Sequence, residues 1–180
     1  MVANSLNGLP VIHFNGSSTQ LALTRPISAD FTIVVEFRSS QISGSSTQWY
    51  NGAGLVDGEV AGVANDFGLS LNQGHIFGGT GNPDNTASSA SASYADNVAH
   101  TAVFKRVAAT GALSLYVDGQ LAGTATGGTQ QLTSPPRLVL GSLQTNINYY
   151  SGDIAEVLIY SQALSDADRQ TVENYLRNKW

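Results

Sequence analysis

The side chains able to do chemistry in this sequence are concentrated between Trp49 and Asp96. That stretch holds Asp57, Glu59, Asp66, Asp84 and Asp96, and no Lys or Arg occurs between Arg38 and Lys105. Asp57-Gly58-Glu59 sets two carboxylates at i and i+2, which share one side of an extended chain. Asn65-Asp66 follows, and then the run Gly78-Gly79-Thr80-Gly81-Asn82-Pro83-Asp84. Calcium takes about six to eight oxygen ligands from carboxylates, amide oxygens and backbone carbonyls, and this stretch offers all three kinds. Asp57, Asp66, Asn82 and Asp84 are therefore the expected calcium ligands. The competing reading is that the same residues only close Asx-turns and cap loops.

Aromatic residues stand beside these oxygens. Trp49-Tyr50 precedes Asn51-Gly52, and Tyr149-Tyr150 lies between Asn148 and Ser151-Gly152. The C–H face of a sugar stacks on an exposed ring while Asp and Asn hold its hydroxyls. Neighbours in a strand point to opposite faces, so at most one ring of each pair can meet a ligand. The expected carbohydrate-binding residues are Trp49, Tyr50, Asn65, Asp66, Asn82 and Tyr149. A one-signed acidic region suits a cation or a neutral polyhydroxyl ligand, and an anionic polymer only where a cation bridges the two. The partner expected is a glycan, neutral or cation-bridged. Other chemistries find little support. His13, His75 and His100 have no metal-site spacing, and no Ser stands in a nucleophile elbow. The absence of Cys excludes disulfides, thiol catalysis and zinc–thiolate sites.

The bulk properties agree. The 180 residues suit one domain with a substantial core. A net charge of −5 leaves nothing to gain from counterion release, which disfavours a nucleic-acid partner. Only 12% of residues are charged, against about 25% in average soluble domains. Ser, Thr, Asn, Gln and Gly must cover the surface, as is common in extracellular β proteins. Mean hydropathy is −0.05. With no long apolar run, no membrane insertion is expected, and the N-terminus lacks the charged and apolar regions of a signal peptide.

The elements that must position these residues are strands. Phe31, Ile33, Val35 and Phe37 alternate with Thr32, Val34, Glu36 and Arg38, which predicts a strand with one strongly buried face. His100–Val107, Leu113–Val117, Arg137–Leu143 and Asp153–Ser161 read as further strands. Asp118-Gly119 supplies the positive φ angles of a tight hairpin turn, with Gln120–Thr126 returning. Val157–Tyr160 is apolar on successive residues, which predicts a strand covered on both sides. The one expected helix is the last element, about 165–178. Ser165 precedes Asp166-Ala167-Asp168 as a capping pattern, and Val172, Tyr175, Leu176 and Lys179 share a face. The expected fold class is an all-β, two-sheet antiparallel sandwich (a jelly roll) with a short C-terminal helix, spanning residues 1–180 as one domain.

Three segments resemble a known family. PVIHFNGSSTQLAL is similar to the opening strand and turn of laminin-G-like jelly rolls of the concanavalin A-like lectin/glucanase superfamily. LSLYVDGQLAG resembles their central hairpin, and GDIAEVLIYSQALSDADRQTVENYLRNKW their closing strand and capping helix. The resemblance implies two packed antiparallel sheets, one of them concave. It also implies a glycan-binding or adhesive role in an extracellular or cell- or particle-surface setting, within a parent polypeptide or assembly, and in many members a rim calcium ion. Sandwich glycosidases of this superfamily carry E-x-D-x-(x)-E on one strand; beyond Asp57-Gly58-Glu59 this chain has Ala61 and Gly62 where the third carboxylate would stand. A non-catalytic binding module, with no catalytic residue, is therefore the expected function. The alternatives are a structural or surface-decoration module, and a small glycan hydrolase using Asp57 and Glu59.

Overall fold

The computed structural model describes residues 1–45, 47–89 and 93–180. Two antiparallel sheets face each other. The first half of the chain forms β1 (Val2–Leu6), β2 (Leu9–Asn15), β3 (Leu21–Thr24), β4 (Phe31–Arg38), β5 (Ala53–Asp57), β6 (Phe67–Asn72), β7 (His75–Thr80) and β8 (Asn85–Ser88). The second half forms β9 (Ala99–Val107), β10 (Ala112–Val117), β11 (Gln120–Thr126), β12 (Arg137–Leu140), β13 (Ser151–Tyr160) and the helix α1 (Asp166–Lys179). One sheet has seven strands in the order β1-β2-β13-β4-β9-β10-β11, and the other has six in the order β3-β12-β5-β6-β7-β8. The core lies between them. Phe31 of the seven-stranded sheet meets Phe67 of the six-stranded one with ring centroids 5.0 Å apart, and Phe104 on the neighbouring strand lies 5.3 Å from Phe31.

The strand β4 departs from the expectation of a single buried face. Phe31 through Phe37 are all buried, on both faces. The odd-numbered residues enter the core between the sheets. On the other face Val34 packs with Val103 and Leu176 under α1. Thr32 donates to the Gln162 carbonyl and accepts from Leu164 N, and Glu36 accepts from Thr101 Oγ1. Thr32 thus ties the strand to the connection into the helix and Glu36 ties it to β9, tertiary uses that periodicity does not encode.

The hairpin and helix stand where expected. Asp118 and Gly119 turn at φ +51° and +81° between β10 and β11. Ser165 Oγ accepts from Asp168 N at 3.2 Å and caps α1. Val172, Leu176 and Trp180 pack against the sheet, whereas Tyr175 is exposed. The helix instead buries an ion pair, Arg169 with Glu173 at 2.6 Å, and lays the Arg169 guanidinium 3.9 Å from the Tyr116 ring centroid. Val157 and Ile159 of β13 pack on the main core, and Leu158 and Tyr160 on the helix side, so this strand is covered on both sides. Strand β12 is shorter than Arg137–Leu143 because Gly141 turns at φ +85°; a Cβ there would come within 2.0 Å of the Phe14 ring. Among the described residues no helix is long and apolar enough to cross a membrane.

Candidate functional site

Much of the acidic stretch is strand rather than loop: β5, β6, β7 and β8 all lie within it. Residues 90–92 of the stretch lie outside the described residues. Pairing aligns Asp57 with Gly68, Gly68 with Gly79, and Gly79 with Thr86, a row running across all four strands. A Cβ on Gly78 would meet the Phe104 ring of the opposite sheet. Its neighbour Gly79 therefore faces away from the core. The two outward glycines leave a bare patch, and Trp49 fills it. Added Cβ atoms would come 2.6 Å from Trp49 Cζ3 at Gly68 and 2.1 Å from Trp49 Cδ1 at Gly79. The short 3-10 turn Trp49–Asn51 presses the indole onto this seat. Trp49 N donates to Thr86 Oγ1 at 3.3 Å, and the Trp49 carbonyl accepts from Ser70 Oγ.

This seat seals Asp57. Its side chain leans over Gly68 beside the indole and is fully buried. One carboxyl oxygen accepts from Glu59 N at 2.8 Å and Gln144 N at 3.0 Å, while the other has no partner among the described residues. Burial, only partly offset by those two hydrogen bonds, pushes the Asp57 carboxyl up to about 8. At neutral pH it is an uncharged acid beneath the surface.

A recess of about 270 Å³ opens beside the indole. Trp49, Tyr50, Glu59, Val60, Asp66 and Asp84 line it, with Gly62 and the exposed Val63 at the tip of the overhanging loop. Tyr50 meets Trp49 edge to face, with ring centroids 5.4 Å apart. Asp66 is buried and accepts from Val60 N at 2.7 Å, while its carbonyl accepts from Gly81 N at 3.0 Å. These bonds close the loop and tie it to the 81–84 turn. Asn82 Nδ2 donates to Asn65 Oδ1 at 2.9 Å and strengthens the same tie. Burial, with the charges of Glu59 and Asp84 adding to it, pushes Asp66 up to about 6. Burial and the Asp84 charge likewise raise Glu59. The Tyr50 phenol is raised by burial and by the neighbouring Asp84 carboxylate.

The expected site residues separate into groups. Tyr50 and Asp66 share the recess with Asp84 and Glu59. Trp49 lines it as well but is 1% exposed, so it forms a wall and not a stacking platform. Asn82 Nδ2 donates to Asn65 Oδ1, and neither residue lines the recess. Tyr149 does not line the recess, and its neighbour Tyr150 is fully buried. Of the expected calcium set, Asp66 and Asp84 line the recess while Asp57 and Asn82 do not. Asp57 is fully buried, Asn82 joins Asn65 through its amide nitrogen, and among the described residues no group of three or more acidic or imidazole side chains is found that could hold a metal. Of the Asp57–Glu59 pair weighed for hydrolysis, only Glu59 lines the recess, and Asp57 is fully buried. Val60 and Val63 were not legible as site residues, although the apolar run Val60-Ala61-Gly62-Val63-Ala64 in a polar stretch was the available signal.

A two-sheet antiparallel sandwich with a small recess beside its six-stranded sheet defines a jelly-roll architecture. The laminin G-type family model of the concanavalin A-like lectin/glucanases superfamily matches residues 15–168, and the chain belongs to this family. Mouse laminin alpha1 chain, domains LG4-5, is similar in structure at TM-score 0.65 and 19% identity, over 86% of this chain and 44% of that one. This chain thus spans under half of that laminin structure. The CBM40 of the Ruminococcus gnavus IT-sialidase, solved bound to alpha2,3 sialyllactose, superposes at TM-score 0.70 and 18% identity, over 91% of this chain and 96% of that one. A heptameric SAP-like pentraxin from Limulus polyphemus does so at TM-score 0.65 and 15% identity, over 91% and 81%. At these identities the likenesses establish the fold. No curated protein sequence matches the chain.

Proposed function

We propose that this protein is a non-catalytic carbohydrate-binding or adhesion module whose site is the recess beside Trp49, working in the extracellular or surface setting typical of laminin G-like domains. One observation carries the reading: Tyr50 and the Trp49 edge stand against Glu59, Asp66 and Asp84 in one small recess. An aromatic wall opposite carboxylates matches a sugar ring, apolar on its C–H face and rich in hydroxyl donors at its edge. The volume of about 270 Å³ falls just below the roughly 300–1,000 Å³ of drug-sized ligand sites, which suits one ring of a chain or a terminal residue. The sialyllactose complex of the CBM40 neighbour makes a glycan-binding role natural for the fold. The acidic walls here disfavour an anionic sugar, so the ligand is a glycan without negative charge. The reading calls on no cation, in keeping with the lack of any group of three acidic or imidazole side chains able to hold a metal among the described residues.

A glycan array run in calcium and again in EDTA tests it. Binding should appear in both arms and fall at least tenfold in Tyr50→Ala. Binding to no glycan in either arm would overturn the reading. A hydrolysis screen on neutral polysaccharides, with Glu59→Gln as control, should show no turnover; turnover abolished in that variant would make the recess an active site.

A further inference from the structure

We propose that His100 is a proton-operated clasp: charged, it fastens the segment 94–98 as a strap across one end of the sandwich, and neutral, it lets that strap loosen. None of the clasp's members lines the recess beside Trp49.

The two ring nitrogens meet two carboxylates. Nδ1 lies 2.8 Å from Asp118 Oδ2, and Nε2 lies 3.0 Å from Asp96 Oδ1. An ionised carboxylate only accepts, so both contacts are hydrogen bonds only when both nitrogens carry protons. The neutral ring has one proton, and its bare nitrogen would face a carboxylate oxygen. The bracket therefore fits the imidazolium. The ring is largely shielded, with Phe37 tilted against it and Tyr94 edge-on at 5.0 Å between centroids. Burial by itself favours the neutral form, but the hydrogen bonds and charges of Asp118 and Asp96 outweigh it and hold the imidazole above its ordinary range. Each neighbouring element brings its own charges. Asp96 and the Tyr94 phenol come from the strap, Asp118 from the turn between β10 and β11, and Glu36 from β4, close enough to feel the imidazolium. Arg38 of β4 pairs instead with Asp153, while Arg177 of α1 shares a recess with Asp118 and Glu36.

The strap joins the two sheets. Asn97 N donates to the Ser39 carbonyl, just past β4, at 2.8 Å, and Tyr94 N donates to the Gly74 carbonyl, between β6 and β7, at 2.7 Å. Tyr94 packs against the main core, and Asn97 lines a recess of about 420 Å³ together with His13, Arg38 and Asp153. The two sides of the bracket are unequal. Asp118 is fixed by its turn and by Thr101 N, which donates to its other oxygen at 3.0 Å. Asp96 is exposed, and its further bond, from Val98 N at 2.9 Å, lies within the strap itself. Loss of the proton is therefore felt at Asp96, and the repulsion moves the strap and not the hairpin. The closed strap is favoured by protonation. It is tightest below about pH 6.5, the ordinary imidazole value, and loosens as pH rises from there through the raised value of the closed clasp. Each pH unit between those two values changes the closing equilibrium about tenfold.

Two measurements on the whole chain test the clasp. Ring-nitrogen NMR should show His100 titrating above the roughly 6.5 of an unperturbed imidazole. Amide hydrogen exchange, read as protection factors at pH 6 and pH 9, should show Tyr94 and Asn97 losing protection at the higher pH. The loss should be about tenfold for each pH unit by which His100 titrates above the ordinary value, beyond any change at the core amide of Phe104. Asp96→Asn is the discriminating variant. Its amide accepts from the charged ring or donates to the neutral one, and it keeps an acceptor for Val98 N. Asp96 is exposed, so the variant should fold, and its strap should stay equally protected at both pH values. A ring titrating at or below the ordinary value would overturn the proposal. So would protection that falls equally in wild type and Asp96→Asn, or that does not fall in the wild type.

Discussion

Asp57 shows how one residue's environment can reverse what its type suggests. An acidic side chain in a glycine-rich stretch looks like a metal ligand, but here it is a neutral acid beneath an indole. Unfolded, its carboxyl titrates near ~3.9; folded, it titrates at about 8. Between those values the folded chain holds a proton that the unfolded chain has lost, so stability falls as pH rises through that window and levels off above it. Asp66, raised to about 6, acts in the same sense over the lower part of the window. Urea unfolding at pH 5 and at pH 8 should show the wild-type midpoint dropping, and dropping less in Asp57→Asn; parallel profiles would mean that Asp57 is ionised in the fold. The indole seat makes a second demand. Gly68→Ala would place a methyl 2.4 Å from Asp57 Oδ2 and 2.6 Å from the indole, and overpacking of this kind costs about 1–3 kcal/mol. In a Trp180→Phe background, where Trp49 alone emits, the variant should be destabilised by that amount with red-shifted emission. Unchanged emission would show that Trp49 does not rest on the glycine pair.

At the scale of elements, the helix is where local chemistry and tertiary packing can be separated. Ser165 caps α1 through Asp168 N, and its loss in Ser165→Ala should cost about 1 kcal/mol, read as a lower urea midpoint. Glu173→Ala should cost about 3–5 kcal/mol, because it strands the buried Arg169 guanidinium without its partner. Equal losses in the two variants would mean that the ion pair is solvated. The cap was legible because Ser-x-x-Asp acts within four residues. The buried pair was not, since its burial depends on Tyr116 from a strand some fifty residues away. The same division runs through the whole fold. The turn at Asp118-Gly119, the inward row of β4 and the closing helix were legible because each is written in neighbouring residues. The candidate site was legible only as a region and a set of residue types. Which carboxylates face the recess follows from the register of β5, β6 and β7 and from a turn that returns Trp49 over two glycines, and both are long-range facts.

For the whole molecule, the question is whether the acidic rim recruits a metal when one is supplied. A net charge of −5 with no Lys or Arg from 39 to 104 would attract divalent ions weakly from any direction. Diffuse attraction of this kind is screened at about 0.15 M salt and does not order a site. A true site behaves differently. At calcium a hundredfold above its dissociation constant, native-state binding adds about 2.7 kcal/mol. For a chain of this size, each kcal/mol moves Tm by about 2–4 °C, so a built site would raise Tm by roughly 5–11 °C. Because Asp57 is sealed, Asn82 is bonded to Asn65 and no three suitable groups converge among the described residues, the expected shift between EDTA and millimolar calcium is below about 1 °C at physiological salt. A rise of several degrees, retained in 0.3 M salt and lost in Asp84→Asn, would show instead that Glu59, Asp66 and Asp84 close on a cation. That result would make the recess a metal-bridged site.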